Sequence, residues 1–424
     1  MTTVMTNKSN YSRPHGHVEN CASYLSLLVA ALALSATPAF GIGLRIPNQD
    51  PVAIARGNAF AATADNPSAL YYNPAGITQL PGVNVQIGVL SYLGINTHYE
   101  SPTGTESDTD FEVIPVPEIY ATYSLEELPL SFGLGVYAPF GLGVQWPQDT
   151  DFRSLAIEAR MQYVTLNPVV AWKILPSLSL AAGPTFNFSQ LQIKRGLATP
   201  TDIFKFDGDG VAYGFNAGVF WQPHDQWSLG VNYRSATTLN YDGSSSYDPG
   251  ISIPSAKTTA RVQFPQIISG GVSFRPTPKW NLEVNVDWTD WSTLNTVALS
   301  GTKNLGFGID LPLQLNWHNS WLYEIGVTRY FENGWFVSAG YFYSTDTTSE
   351  KYYTPAVPDT NLHVGSVGFG FKGEHWRWAL AAQIITGPAR DINNSQPNPF
   401  TGQTADGSYQ LLVPTLSASV GYQF

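Results

Sequence analysis

From Gly82 to the C-terminus, apolar and polar positions alternate with a period of two, and turn-forming Gly, Pro, Asn and Asp separate one run from the next. In WNLEVNVDW, residues 280–288, one face holds Trp280, Leu282, Val284, Val286 and Trp288, and the other holds Asn281, Glu283, Asn285 and Asp287. An aliphatic stripe bracketed by tryptophans matches the lipid-facing side of a strand crossing a bilayer, with aromatic rings at both interfaces. Residues 211–221 repeat the arrangement. Val211, Tyr213, Phe215, Ala217, Val219 and Trp221 share one face, and Ala212, Gly214, Asn216, Gly218 and Phe220 the other.

Fourteen such segments are predicted, at 83–97, 113–125, 130–146, 158–174, 177–194, 210–222, 226–242, 258–275, 279–292, 312–331, 334–347, 362–373, 375–388 and 409–424. Each exceeds the roughly 9–11 residues that a tilted strand needs to cross the hydrocarbon core. Connections alternate in length. Leu175-Pro176, Pro223-His224-Asp225, Pro276-Thr277-Pro278, Glu332-Asn333-Gly334 and Gly373-Glu374 are short; 98–112, 147–157, 195–209, 243–257, 293–311, 348–361 and 389–408 are long. Short turns in the periplasm and long loops outside are the asymmetry of outer-membrane barrels. The pattern therefore predicts an all-β membrane protein, a fourteen-stranded antiparallel β-barrel over residues 82–424. Its last strand aligns Leu416, Ala418, Val420, Tyr422 and the terminal Phe424, an ending suited to recognition by barrel assembly machinery.

Residues 42–81 break the alternation. The Ala- and Gly-rich AIARGNAFAATA (53–64) leads into DNPSALYYNPAG (65–76). Asp65 or Asn66 is placed to N-cap a short helix with Pro67 at its first position. Asn73 precedes Pro74 and is pushed out of the helical region, so the helix ends there. An even strand number starts the barrel at the periplasmic mouth, next to this segment, which is predicted to be a hatch with short helices inside the lumen. Residues 1–41 read as a cleaved secretory signal. Lys8 and Arg13 precede the apolar run Leu25 to Leu34, and Ala36, Ala39 and Gly41 follow; cleavage is expected after Gly41, with Ala39 as the alternative and Met5 as an alternative start.

Composition narrows the chemistry. Hydrophobic residues make up 43% of the chain but charged ones only 12%, about half the charged share of an average soluble domain. The longest apolar run, Tyr24 to Ala36, falls short of the about twenty residues of a spanning helix. Cys21 is the only cysteine and lies in the leader, which excludes cysteine catalysis and thiolate metal sites in the mature chain. Losing the leader leaves 19 basic and 31 acidic residues, a net charge of −12, so nucleic acid is a poor partner. His98, His224, His318, His363 and His375 are scattered, and no metal or cofactor is expected. Glu283, Asp287 and Asp290 are expected as lumen or rim hydrogen-bonding groups. With no nucleophile elbow either, an enzyme is not expected.

Asn73-Pro74-Ala75 within NPSALYYNPAG resembles the hatch motif of the FadL-type outer-membrane long-chain fatty-acid and hydrophobic-compound transporter family. VYAPFGLGVQWP (136–147), DQWSLGVNYRS (225–235), DWTDWS (287–292) and the terminal Phe agree with it, so the resemblance spans the mature chain. It implies a hatch motif at Asn73, Pro74, Ala75 and Gly76, and a third strand kinked inward to leave a lateral opening. Pro139, Phe140, Gly141, Leu142 and Gly143 supply that kink, because proline donates nothing to a ladder and strand glycines favour bends. It also implies an outer groove from the loops 195–209 and 243–257, whose apolar content is Ile203, Phe204, Phe206, Tyr247 and Ile251.

Inward positions such as Phe220, Phe336, Phe342 and Ile385 favour an apolar cargo over a polar solute. The expected ligand is a hydrophobic small molecule: a fatty acid, lipid or aromatic hydrocarbon. It would be captured outside, bound above the hatch and released sideways into outer-membrane lipid, by diffusion and by a monomer. A carboxylate would want a cation in an apolar pocket; Arg160, Lys194, Arg195 and Arg234 are candidates, with Phe204 and Phe206 beside them. Rim charges paired with acids are the other reading of these cations. A general porin or a surface adhesin on the same barrel is the alternative function.

Overall fold

The computed structural model describes residues 43–197, 199–250 and 253–424; the expected leader, with Cys21 and the cleavage position, lies outside them. Fourteen staves form one antiparallel sheet. They are β1 (Val83–Leu93, continued by Asn96–Glu100), β2 (Glu106–Asp108 and Val113–Ser124), β3 (Leu130–Tyr137 and Gly141–Gln145), β4 (Glu158–Leu175) and β5 (Leu178–Arg195). Next come β6 (Ile203–His224), β7 (Trp227–Arg234 and Thr237–Asp248), β8 (Ala256–Phe264 and Ile267–Thr277), β9 (Trp280–Thr289 and Thr296–Ser300) and β10 (Leu311–Gln314 and Ser320–Tyr330). The sheet ends with β11 (Trp335–Ser344), β12 (Leu362–Lys372), β13 (Trp376–Thr386 and Arg390–Ile392) and β14 (Gly407–Gln423). Each stave pairs with the next, and β1 pairs with β14 from Asn84↔Gln423 to Tyr92↔Thr415, which closes the barrel and removes its edges.

The alternation in sequence becomes the inside and outside of this wall. Trp280, Leu282, Val284 and Val286 are exposed to the outside, whereas Asn281, Glu283, Asn285 and Asp287 are buried inside. Trp172, Trp221, Trp227, Trp280, Trp335 and Trp376 are exposed close to the short turns, forming a girdle at one end of the apolar belt. The belt's other end is marked on β5, where outward positions pass from Phe188 to Gln190, Gln192 and Lys194, and on β6, where Lys205, Asp207 and Asp209 precede Val211.

Two of the expected loops are therefore corrected. Residues 195–209 and 243–257 are largely wall: β6 begins at Ile203 and β7 runs to Asp248, paired from Asp242↔Asp209 to Asp248↔Ile203. Their outward faces are polar because they stand above the apolar belt, and a polar face reads as loop in the sequence. Phe204 and Phe206 point inward and are fully buried. The connections shrink to 196–202 and 249–255.

Residues 43–81 lie inside the wall. They contain α1 (Pro51–Ile54), α2 (Ala69–Tyr72) and a 3-10 turn, Pro74–Gln79. The short helix starts two residues later than Pro67 predicted, at Ala69: Ser68 is its N-cap, and Asn66 Oδ1 accepts from the Ser68 N–H at 2.8 Å instead. Asn73 is extended, as the following proline demands, and ends the helix. The hatch backbone touches the wall where the wall has no side chain. A Cβ on Gly230 would lie 1.9 Å from the carbonyl oxygen of Ala61, and one on Gly340 would lie 2.0 Å from the carbonyl carbon of Arg56.

Candidate functional site

The wall is incomplete between β2 and β3. Their ladder runs from Ser124↔Ser131 to Ile119↔Val136 and stops. Beyond it β3 breaks between Tyr137 and Gly141, and the next backbone contact with β2 is Asp110 N–H to the Gln145 carbonyl at 2.9 Å. Toward β4 the pairing continues on both sides of the break, at Tyr137↔Thr165 and Gly141↔Gln162. Four steps along β3 against three along β4 make a bulge, which re-aims the strand. On the other side of the opening, Pro115 and Pro117 stay paired in register with Ser91 and Val89 of β1. An intact β1 ladder leaves the donor-less side of both prolines facing the opening, so that edge exposes few unpaired N–H groups.

The kink's own polar groups are met by the hatch. Ile46 N–H donates to the Pro139 carbonyl at 2.8 Å, Gly141 N–H donates to the Leu44 carbonyl at 2.9 Å, and Arg45 bridges Phe140 as a strand partner would. The Gln49 amide does the same for Ala138, donating from Nε2 to its carbonyl at 2.8 Å and accepting from its N–H at 3.3 Å. Arg45 is anchored behind this by an ion pair to Asp287 and a bond from Nη1 to Thr289 Oγ1 at 3.2 Å. Phe140 turns into the lumen, with ring centroids 5.2 Å from Tyr163, 5.0 Å from Phe264 and 5.9 Å from Trp291. Leu142 is buried in the same cluster. Of the five expected kink residues, Pro139 and Phe140 lie in the break, whereas Gly141, Leu142 and Gly143 begin the resumed strand paired with β4.

Asn73 to Gly76 act within the hatch. Asn73 Nδ2 donates to the carbonyls of Ala61 at 2.8 Å and Val219 at 2.9 Å, while its Oδ1 caps the 3-10 turn by accepting from Ala75 N–H at 3.2 Å. Pro74 takes the first turn position, where no donor is needed. Gly76 sits where a Cβ would lie 2.4 Å from the Ala64 carbonyl oxygen. These residues fold the hatch and tie it to β6.

The four candidate cations separate. Arg160 faces outward on β4 and is matched by Glu112 and Glu158. Lys194 is half-buried, opposite Lys205 and Glu158. Arg234 is buried beside the kink, donating from Nη1 to Tyr137 Oη at 2.8 Å and lying 5.0 Å from the Tyr71 ring centre. Arg195 is also buried, 5.6 Å from the Phe204 ring centre, above the apolar belt. Among the described residues its Nε has no hydrogen-bond partner and no acid pairs with it, and burial pulls its pKa down to about 10. It lines a cavity of about 140 Å³ with Leu311, Leu313, Lys351, Tyr353 and Phe400. Below it lies an apolar lumen packed by Phe206, Leu239, Tyr241, Phe264, Leu299 and Trp317.

Sequence reasoning missed Leu44, Ile46 and Gln49 as partners of the kink, and Leu311, Leu313 and Phe400 as lining of the cavity that Arg195 shares. The Pro-Val-Pro at 115–117 was a readable signal for the second edge of the opening. The long-range partners carry none.

Known proteins fit this architecture. A long-chain fatty acid transport protein of Escherichia coli is 19% identical over 396 residues, covering 81% of this chain and 87% of that protein. The crystal structure of a Pseudomonas aeruginosa FadL homologue matches with a TM-score of 0.80 at 18% identity, covering 90% of this chain and 100% of that one. The Ralstonia pickettii toluene transporter TbuX matches with a TM-score of 0.64 at 16% identity, over 89% and 98%. At such identities the structural likeness establishes the fold. Residues 31–414 match the family described as outer membrane protein transport protein (OMPP1/FadL/TodX), and the chain is a member of that outer-membrane family.

Proposed function

We propose that this protein carries hydrophobic molecules passively across the outer membrane and releases them sideways, through the opening between β2 and β3. The observation that carries this reading is the broken ladder, whose kink is met by a hatch segment instead of a neighbouring strand. Unpaired backbone at membrane depth is tolerated where it lines a cavity or is buried in protein. Residues 44–49 bury it, and their withdrawal would turn the break into a passage. A long-chain fatty acid transporter and a toluene transporter among its relatives fit an apolar cargo.

Capture is assigned to the outer cavity around Arg195. A buried guanidinium without an acid, set among leucines and aromatic rings, suits an amphiphile with an anionic head. Residues 42–81 act as the plug, residues 1–41 as the export signal, and Phe424 as the assembly signal of a monomer.

The test is a cross-link over the opening. Vesicles containing the protein are expected to take up labelled oleate faster than empty vesicles. Cysteines replacing Val116 and Pro139, on facing edges of the opening, are joined by a reducible bifunctional thiol reagent, which should slow this uptake, with recovery on reduction. Uptake unaffected by a completed cross-link would show that the exit is not lateral.

A further inference from the structure

Arg160 stands on the outward face of β4 and reaches across β3 to β2. Its Nη1 donates to Glu112 Oε2 at 2.8 Å and its Nη2 to the other oxygen of the same carboxylate. Nε donates to Glu158 Oε1 at 2.6 Å, and Nη2 also donates to Gln145 Oε1 at 3.1 Å. Gln145 Nε2 donates in turn to Asp110 Oδ2 at 2.6 Å, beside the backbone contact of the same two residues. One guanidinium therefore joins three staves.

The position of this cluster matters. Below the opening Ile119 faces Val136, and above it Asp110 bonds to Gln145, so each strand advances nine residues between the two contacts. The strands part and meet again in the same register. The opening is thus a window with two sills, not a frayed edge. The lower sill is a β ladder; the upper one is made by Arg160 and its partners.

We propose that Arg160, through Glu112, Gln145 and Asp110, is the clasp that fixes the outer edge of the lateral window and so limits the bulk of what leaves through it. This rests on lateral exit. A guanidinium gripping both oxygens of a carboxylate fixes direction as well as distance, which a lysine cannot do. The side chains of Arg160 and Glu112 keep 25% and 33% of their surface exposed, so the pair adds little to global stability. Its loss should free the sill and leave the barrel folded.

The experiment compares vesicles with the native protein, Arg160→Met and Arg160→Lys, using oleate and a pyrene-labelled fatty acid as slim and bulky probes. The ratio of bulky to slim uptake is expected to rise several-fold in the methionine variant and partly in the lysine variant. Strand content by circular dichroism and heat-modifiable migration should match the native protein. Adding Asp110→Cys and Gln145→Cys to the methionine variant should restore the native ratio when oxidised and lose it on reduction. An unchanged ratio in Arg160→Met, or one indifferent to the disulfide, overturns the clasp. The Val116–Pro139 cross-link separates the two ideas: if it blocks uptake while Arg160→Met changes nothing, lateral exit stands and the clasp falls.

Discussion

Arg195 and Arg160 carry the same charge and opposite roles, and their surroundings decide which is which. Arg160 is held by two carboxylates on the outer face of the wall, while Arg195 is buried over Phe204 with none among the described residues. An anionic head reaching Arg195 would gain a bond to a charged group, about 1.5–3 kcal/mol, or roughly 10- to 100-fold in affinity. Arg195→Met should therefore weaken oleate binding by about that factor and leave toluene binding unchanged. Binding isotherms with both ligands for the native protein and the methionine variant decide it. Equal losses for oleate and toluene would remove Arg195 from head-group recognition.

At the scale of elements, the opening depends on where donors are missing. The family resemblance implied a kinked third strand and proline and glycine suggested Pro139 to Gly143 for it, whereas the break lies between Tyr137 and Gly141 and the glycines pair with β4. The facing edge was harder, since Pro115 and Pro117 lie in a strand whose pairing with β1 is uninterrupted. Replacing both by valine supplies two N–H groups in register with the carbonyls of β3. The valine pair should let the ladder extend past Ile119, slowing oleate uptake several-fold and protecting these amides from hydrogen exchange. If the added amides exchange as freely as a loop and transport is unaltered, the prolines do not keep the window open. The same physics explains the two misread loops. A strand above the membrane has a polar outer face, and its buried partners Phe204 and Phe206 are visible as such only once the opposite wall is known.

For the whole molecule, the hatch is tied to several staves, by Asn73 to β6, Ser228 of β7, Ser366 of β12 and Gln383 of β13, and its buried charged anchors stand on β9. Glu283 of β9 accepts from Ala62 N–H at 2.8 Å, from Thr63 Oγ1, and from Arg56 Nη2 at 3.1 Å. Asn281 donates to Thr63 Oγ1 at 2.8 Å, and Asp287 pairs with Arg45. Removing one partner of a buried ion pair costs about 3–5 kcal/mol, because the other charge is left alone. Glu283→Ala should loosen the hatch by that order while the wall ladders stay intact. In planar bilayers the native protein is expected to be nearly closed, the alanine variant to open intermittently, and a variant lacking residues 43–76 to conduct steadily. Native-like closure in the deletion variant would show that this segment does not block the lumen. A steady open state of the native protein would favour a general porin.

The sequence by itself determined the barrel. Strand number, inside and outside faces, the aromatic belt and the break in alternation before Gly82 all follow from short-range alternation and from the backbone limits of proline and glycine, which act within a few residues. The tertiary structure decided what meets what. That Leu44 to Gln49 completes a kink about 89 residues away, that Arg195 lacks an acid among the described residues while Arg160 has two, and that β2 and β3 rejoin in register are consequences of barrel closure. Closure sets contacts between residues whose separation along the chain leaves no local trace.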